Sequence, residues 1–280
     1  MQMNILDEIL ANKEKEVAEK RSLFPVKLLE GSIYFESAPV SMKKYVLRED
    51  KAGIIAEIKR KSPSKGTINK YVNVERTSIG YMQAGVSGLS ILTDTKFFDG
   101  KNEDLQTARK FNYCPILRKD FIVDEYQLIE AKSIGADCIL LIAAALKPFK
   151  TKELARFAKT LNLEVLLEVH DKEEYEEHIS DNVDLVGVNN RDLKTFEVTL
   201  DTSKALAPVI DNRFVKISES GIATPHDIIE LRNHGFNGFL MGESFMKYSR
   251  PERACLEFIE DLKELEQKQQ VVDNGEQVEN

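Results

Sequence analysis

Short apolar segments rich in Ile, Val and Leu recur along the chain from residue 54, and amphipathic stretches separate them. The segments begin 21 to 34 residues apart, and apolar residues at helical spacing mark the stretches between them, for example at 154–161 and 228–233. That length holds one strand, one helix and two short loops, so each step predicts one β/α unit. The eight predicted strands are 54–60, 88–94, 115–122, 138–144, 164–170, 185–191, 214–220 and 238–243.

Eight parallel strands with intervening helices form either an open doubly wound sheet or a closed barrel. Eight units in about 200 residues is the size of a barrel. No Gly-x-Gly-x-x-Gly turn follows the first strand, as it does in a dinucleotide-binding sheet. Polar residues also collect at the carboxyl ends of many strands, whereas a doubly wound sheet would collect them at the one point where its strand order reverses. The sequence therefore predicts an α/β fold, a (β/α)₈ TIM barrel.

The regions on either side of the barrel have a different pattern. Ile5, Leu6, Ile9 and Leu10 recur at helical spacing, and a charged stretch to residue 21 and a linker with prolines and serines follow. We expect residues 1–50 to be an N-terminal helical extension and residues 51–263 to be the catalytic barrel. Residues 264–280 are expected to be an acidic, disordered tail.

The formal net charge is −8, which argues against a nucleic-acid partner and, at face value, against an anionic substrate. The tail alone carries five acids and one base, which is half of that charge. No apolar run is long enough to span a membrane, so no membrane partner is expected. Three widely spaced cysteines without a CxxC pair favour a reducing, cytoplasmic location and no metal site.

Ionisable side chains collect where the predicted strands end, which is where parallel barrels place their active sites. Strand alternation puts Glu57 and Lys59 on one face, and it puts Lys119 and Phe121 on one face. Arg118 and Asp120 are expected to face the helices. The plainer explanation of each of these charged side chains is a structural ion pair. For Lys216 we likewise expect an ion pair, with a carboxylate near the floor of the barrel. That explanation does not account for ionisable groups at the same end of strands one, three, five and six.

Glycines after the last two strands indicate a phosphate site. Gly221 follows strand seven and Gly242 follows strand eight, at the loops that commonly hold phosphate in such barrels. The loop at 60–66 is basic and rich in hydroxyl groups, and Gly66 is a possible hinge, so the loop is either an ordinary solvated loop or a lid over an anion. Lys59, Lys61, Lys65, Lys119 and Arg191 are expected to make the mouth of the barrel locally positive.

Five segments of the chain resemble the indole-3-glycerol phosphate synthase family in the same order. The segment at 56–66, Ala-Glu-Ile-Lys-Arg-Lys-Ser-Pro-Ser-Lys-Gly, is the most specific of them. The others are Leu117-Arg118-Lys119-Asp120-Phe121-Ile122, Leu167-Glu168-Val169, Gly187-Val188-Asn189-Asn190-Arg191-Asp192-Leu193 and Glu219-Ser220-Gly221-Ile222. The resemblance extends from the N-terminal helix to about residue 262 and excludes the tail.

The resemblance implies closure of a ring in 1-(2-carboxyphenylamino)-1-deoxyribulose 5-phosphate, followed by loss of carbon dioxide and water. No cofactor or metal is implied. It gives Lys119 the role of general acid and makes Glu168 the base of the dehydration. Because a general acid works best with a pKa near the working pH, we expect burial and the charges of Lys59 and Arg191 to depress the pKa of Lys119. Lys59 would hold the carboxylate of the anthranilate ring and assist the acid chemistry.

The remaining roles concern orientation and binding. Glu57 and Asn189 would orient the lysines and the sugar hydroxyls, and Ser220 would contact the substrate. For Glu243, we expect the backbone N–H to face the phosphate and the carboxylate to turn away from it. The implied phosphate ligands are Ser62, Arg191, Gly221, Gly242 and Glu243, and the implied lining of the anthranilate pocket is Phe98, Phe121 and Leu140.

Two other functions remain open from the residues alone. Lys119 or Lys59 suits a Schiff base with a sugar phosphate, as in class I aldolases. The barrel also suits a binding or regulatory protein, although such a chain would be expected to lose some of the five polar groups Glu57, Lys59, Lys119, Glu168 and Asn189. The chain has room for one barrel, so we expect it to be monofunctional. We also expect it to act as a monomer.

Overall fold

Eight parallel strands close into a barrel, so the predicted fold is confirmed. The structure is a computed structural model that describes residues 4–192 and 195–276, with side chains to residue 269. The barrel strands are β1 Ile54–Ile58, β2 Gly88–Leu92, β3 Ile116–Lys119, β4 Cys138–Ile142, β5 Glu164–Val169, β6 Leu185–Asn189, β7 Val215–Glu219 and β8 Gly238–Met241. Each strand pairs with the next, and β8 pairs with β1. Each predicted segment contains one strand, which ends one to three residues before the predicted limit.

Helices precede the barrel, surround it and follow it. Most begin with a side chain that accepts a hydrogen bond from a backbone N–H of the first turn, as Asp124 and Thr224 do in capping boxes. The helices are α1 Ile5–Leu23, α2 Val26–Glu30, α3 Met42–Val46, α4 Val74–Ala84, α5 Thr95–Phe98, α6 Asn102–Phe111, α7 Glu125–Ser133, α8 Pro148–Thr160, α9 Lys172–His178, α10 Asp201–Leu206, α11 Pro225–Asn233, α12 Glu243–Met246 and α13 Pro251–Glu276. A 3₁₀ turn at Ala143–Ala145 follows β4.

Strand alternation divides the apolar core into an inner and an outer cluster. Ile55, Leu117, Leu140, Leu166 and Ile217 belong to the inner cluster, in the interior of the barrel. The outer and larger cluster lies between the strands and the helices. At the carboxyl ends of the strands the interior is mixed: Ile142 at the end of β4 is apolar, whereas Lys119 and Glu219 at the ends of β3 and β7 are charged.

The N-terminal extension runs outside the barrel from the mouth, the end where the strands finish, to the floor at the opposite end. The hydroxyl of Tyr126 on α7 donates to the carbonyls of Lys20 and Phe24 and so holds the end of α1. At the floor, Met42 and Val46 of α3 pack into the inner cluster. The extension therefore closes the floor of the barrel.

The last helix continues past the start of the predicted tail. α13 ends at Glu276, so residue 264 lies inside a helix. Leu193 of the sequence motif and residues 277–280 of the tail lie outside the described residues. No helix within 4–192 and 195–276 is long and apolar enough to cross a membrane.

Candidate active site

A cavity of about 180 Å³ opens at the carboxyl ends of the strands, and it contains nearly all the predicted site residues. Residues from opposite sides of the barrel meet there because parallel strands finish at one edge. Among the predicted residues, these line the cavity: Glu57, Lys59, Ser62, Lys119, Phe121, Leu140, Glu168, Asn189, Arg191, Ser220, Gly221, Gly242 and Glu243. Phe98 is not part of this lining, but its ring centroid is 6.0 Å from that of Phe121.

Lys119 is the centre of the polar groups. It is the last residue of β3, and its Nζ lies 2.9 Å from Oε2 of Glu168 and 2.5 Å from Oε2 of Glu219. Both carboxylates are buried, whereas the side chain of Lys119 is 15% exposed. Two buried carboxylates therefore hold the ammonium group of Lys119 in place at the surface of the cavity.

The charges around Lys119 differ from the sequence-based prediction. Burial alone would lower the pKa of Lys119, but the carboxylates of Glu168, Glu219 and Glu57 raise it above its ordinary value. The predicted depression of this pKa by Lys59 and Arg191 is wrong, because carboxylates rather than cations lie next to the ammonium group. Lys119 is fully protonated near neutral pH, as an acid must be.

The two carboxyl groups beside Lys119 have different proton affinities. Burial raises the pKa of Glu219, and the charge of Glu168 raises it further, against the attraction of Lys119. Burial also acts to raise the pKa of Glu168, but Lys119 and His170 lower it below its ordinary value, and Nδ2 of Asn189 donates to Oε1 of Glu168 at 3.1 Å. Glu168 is therefore ionised at neutral pH and able to accept a proton.

Glu219 is a site residue that the sequence analysis does not predict. The motif after strand seven contains it, but the resemblance implies a substrate contact only for Ser220. Alternation along β7 puts Glu219 on the inner face with Val215 and Ile217, and that signal was sufficient to find it. A Cβ at position 187 would lie 2.2 Å from Oε1 of Glu219, so glycine at this position of β6 makes room for the carboxyl group.

Glu57 and Lys59 form a second ion pair on the opposite side of the cavity. Nζ of Lys59 lies 2.8 Å from Oε1 of Glu57, which is buried at the end of β1. A Cβ at position 242 would lie 2.7 Å from the same oxygen, so Gly242 allows the backbone after β8 to approach Glu57. The pair leaves the ammonium group of Lys59 at the cavity surface.

The loops expected to bind phosphate meet at one side of the mouth. Ser220 and Gly221 have φ angles of 68° and 81°, a left-handed turn that directs the chain out of β7. The basic loop after β1 forms a short antiparallel hairpin, Lys61–Ser62 with Gly66–Thr67. Oγ of Ser62 accepts a hydrogen bond from the backbone N–H of Lys65, which braces this hairpin.

The carboxylate of Glu243 points toward the phosphate loops, contrary to the expectation that it turns away. Its Oε1 lies 3.4 Å from Nζ of Lys65, and its Oε2 lies 3.6 Å from Nη2 of Arg191. Both distances are short enough for attraction between the opposite charges. The prediction is wrong because two cations from other loops face this carboxylate.

The lining of the cavity itself does not show the predicted excess of positive charge. Among the described residues, three cationic side chains line it, Lys61 and Lys65 do not, and the carboxyl groups lining it are more numerous: Glu57, Asp120, Glu168, Glu219 and Glu243. Each of the cations Lys59, Lys119 and Arg191 has a carboxylate partner. The cations that would meet an anionic substrate are therefore already paired with carboxylates of the protein.

The predictions for the charged residues outside the proposed site are confirmed in part. Arg118 is confirmed on the helix side, where its Nη1 donates to the carbonyl of Gln127 on α7. The carboxylate of Asp120 reaches Lys13 of α1, although Asp120 also borders the cavity. The ion pair predicted for Lys216 is wrong: its Nζ donates to the carbonyl of Ala207 and to Oδ1 of Asn212.

Comparison with known proteins agrees with the geometry of the site. The sequence model of the indole-3-glycerol phosphate synthase family matches residues 6–258, which is most of the chain. The chain belongs to the indole-3-glycerol phosphate synthase family. It is 47% identical over 256 residues to the indole-3-glycerol phosphate synthase of Bacteroides thetaiotaomicron, covering 91% of this chain and 98% of the relative. The corresponding protein of Acinetobacter baylyi is 42% identical over 258 residues, covering 92% and 96%.

Solved structures with low sequence identity share only the fold. A chain described as native KDPGal has a TM-score of 0.56 at 11% identity and covers 79% of this chain and 97% of its own. A chain of the tryptophan synthase α₂β₂ complex of Pyrococcus furiosus has a TM-score of 0.54 at 16% identity, covering 76% and 98%. Membership of the indole-3-glycerol phosphate synthase family confirms the predicted class, a decarboxylating lyase of tryptophan biosynthesis, rather than the aldolase or the binding-protein alternative.

Proposed function

We propose that this barrel forms indole-3-glycerol phosphate with Lys119 as the general acid of ring closure. The observation that carries the proposal is the position of the Lys119 ammonium group, held between Glu168 and Glu219 at the surface of the cavity. An ammonium group that is protonated and partly desolvated is suited to donate a proton to a ketone oxygen at the cavity surface.

In the first step, the ring carbon that bears the carboxylate attacks the sugar ketone. The carbonyl π bond breaks, and its oxygen takes a proton from Lys119 as the new carbon–carbon bond forms. The carbon–carboxylate bond then breaks and carbon dioxide leaves, which returns the electron pair to the ring. Lys59 binds the substrate carboxylate before this step, and Glu57 holds Lys59 in position.

In the second step, the hydroxyl group leaves as water and the ring system loses a proton. Glu168 accepts that proton, because the neighbouring Lys119 and His170 keep the pKa of its carboxyl group low and Asn189 fixes its orientation. Lys119 has given up its proton in the first step, so the ammonium group of Lys59, released when carbon dioxide leaves, protonates the departing hydroxyl. These are proton transfers, so no cofactor is required.

Glu219 has a positioning role in this scheme. Its Oε2 holds the ammonium group of Lys119 from the side opposite Glu168, while its Oε1 has no hydrogen-bond partner among the described residues. Burial raises the pKa of Glu219, so a proton on this group is accessible near the working pH. Glu219 therefore holds Lys119 in position and, because it is protonated for part of the time, adds less than a full second negative charge beside it.

The substrate phosphate binds at Ser62, Arg191 and the backbone N–H groups of Gly221, Gly242 and Glu243. The carboxylate of Glu243 pairs with Lys65 and Arg191 on this side of the mouth. The phosphate must therefore displace this carboxylate from Arg191. Phe98, Phe121 and Leu140 enclose the anthranilate ring, and Ser220 contacts the sugar.

We also propose that the protein acts as a cytoplasmic monomer. All three cysteines are free and buried, which suits a reducing compartment. The proposed catalytic groups all come from one chain, so the site needs no second copy. Sedimentation at enzymatic concentrations tests the monomer directly.

The Lys119→Ala variant tests the proposed acid. Turnover should fall by roughly 10²–10⁴-fold, the usual contribution of a general acid, while substrate binding stays within a few fold. Substrate binding is measured by fluorescence titration and indole formation by the change in product fluorescence. Near wild-type turnover in Lys119→Ala would sink the assignment, and loss of binding alone would make Lys119 a binding residue.

A further inference from the structure

One lysine of the N-terminal extension is buried beneath the mouth of the barrel. Lys13 lies in the middle of α1, and its side chain is only 1% exposed. Its Nζ lies 2.9 Å from Oδ2 of Asp94 and 2.8 Å from Oδ1 of Asp120, and both carboxylates are fully buried. Glu16 of the same helix lies 3.0 Å from the ammonium group. A helix outside the barrel thus places a charge between two loops of the mouth.

Each of these two carboxylates holds the backbone of a different loop. Oδ1 of Asp94 accepts a hydrogen bond from the N–H of Phe97 at 2.8 Å and caps α5, the short helix that carries Phe98. Oδ1 of Asp120 accepts from the N–H of Phe121 at 2.8 Å. Lys13 therefore connects the loop of Phe98 to the loop of Phe121, and the rings of these two residues are neighbours.

Because the carboxylates of Asp94 and Asp120 are buried, the link between the two loops depends on the charge of Lys13. A buried carboxylate is costly unless it has a partner, and removal of one partner leaves that cost uncompensated. Asp120 keeps a second cation, Arg118, at 3.4 Å, and it also accepts from Thr93 at 2.6 Å. For Asp94, Lys13 is the one cation among the ion pairs of the described residues. Loss of the ammonium group would release the Asp94 loop first.

We propose that Lys13 is a positioning residue that sets the distance between Phe98 and Phe121 and so shapes the pocket for the aromatic half of the substrate. This inference depends on the proposed function, which assigns the anthranilate ring to these phenylalanines. It gives α1 a role in substrate specificity, through the two aspartates, beyond the anchoring of the extension to the barrel.

The test separates the aromatic half of the substrate from its phosphate half. The variant Lys13→Met removes the charge at similar volume, and Lys13→Arg restores it. The control Tyr126→Phe removes the hydrogen bonds that hold the other end of α1, without a change at Asp94 or Asp120. Inhibition constants for anthranilate and for inorganic phosphate are measured on each variant, at a temperature where circular dichroism shows it folded.

We expect Lys13→Met to weaken anthranilate inhibition about tenfold, the effect of about 1.4 kcal/mol, and to leave phosphate inhibition within about twofold. Lys13→Arg should recover most of the anthranilate affinity, and Tyr126→Phe should change neither constant. Unchanged anthranilate inhibition in folded Lys13→Met, or an equal loss for both inhibitors, overturns the inference.

A second variant keeps the test decisive if Lys13→Met does not fold. Asp94→Asn retains the cap on Phe97 but weakens the attraction to Lys13, and it should weaken anthranilate inhibition about threefold. The same inhibition unchanged in Asp94→Asn would contradict the role of Lys13. A wild-type protein that anthranilate does not inhibit would instead contradict the assignment of the aromatic pocket in the proposed function.

Discussion

The two ends of the barrel use carboxylates in different ways. At the floor, Asp137 accepts from the backbone N–H groups of Val40 and Ile116 in addition to its ion pair with Arg109, and Glu164 accepts from Ser41 and from the N–H of Lys43. At the mouth, the carboxylates of Glu57, Glu168 and Glu219 instead bind lysine ammonium groups.

This difference separates stability from activity within one barrel. Backbone N–H groups at the floor are permanent partners, so those carboxylates hold the extension in place. Ammonium groups at the mouth can turn to a substrate and donate protons to it. We therefore expect changes at the mouth to alter turnover and changes at the floor to alter the free energy of unfolding.

The largest predicted effect at the mouth, after loss of Lys119, is that of Glu168→Gln. The amide cannot accept the proton of the dehydration step, so kcat should fall by roughly 10²–10⁴-fold. Rapid-quench analysis should show ring closure without dehydration. Because the pKa of Glu168 lies below its ordinary value of 4.5, the base becomes protonated, and wild-type kcat declines through this group, only below pH 4.5. Normal dehydration in Glu168→Gln would remove Glu168 from the mechanism.

At the floor, Met42→Ala should reduce the free energy of unfolding by about 2–5 kcal/mol, because it leaves a cavity beneath the inner cluster. The value of kcat at a temperature where the variant is folded should stay near that of the wild type. Urea unfolding measures the first quantity. Met82→Ala, at a half-buried position of α4, is the control and should cost less. A large loss of kcat in folded Met42→Ala would contradict the separation of the two ends.

The smallest effect is expected for Glu243→Gln, which frees Arg191 and Lys65 for the phosphate. An exposed ion pair contributes about 0.2–1 kcal/mol, so the KM for substrate should fall by roughly two- to fivefold with kcat unchanged. Steady-state kinetics at low ionic strength measures the change, and Glu257→Gln on the exposed face of α13 serves as the control. A higher KM in Glu243→Gln would show that the carboxylate assists binding.

The sequence predicted the strands and most inward-facing site residues because strand alternation is a local property. The apolar segments located all eight strands, and alternation placed Lys119 and Glu168 at the mouth. Glu219 followed the same rule on β7 and was overlooked only because Ser220 was assigned instead.

Ion pairs between residues far apart in the chain could not be predicted from the sequence. Lys119 meets Glu219 across 100 positions of the chain, and Lys13 meets Asp120 from a helix outside the barrel. No local pattern indicates such partners, so the predicted cations around Lys119 were replaced by carboxylates. The orientation of Glu243 was missed for the same reason, because Lys65 and Arg191 come from other loops.

The most direct test of this separation compares kcat in variants of two lysines, one at each end of the barrel. Lys119 donates to carboxylates at the mouth, whereas Lys216 donates to Ala207 and Asn212 near the floor. We predict that Lys119→Met lowers kcat by roughly 10²–10⁴-fold, and that folded Lys216→Met retains kcat within about threefold while losing about 1–3 kcal/mol of stability. Similar kcat values in the two variants would contradict the assignment of catalysis to Lys119.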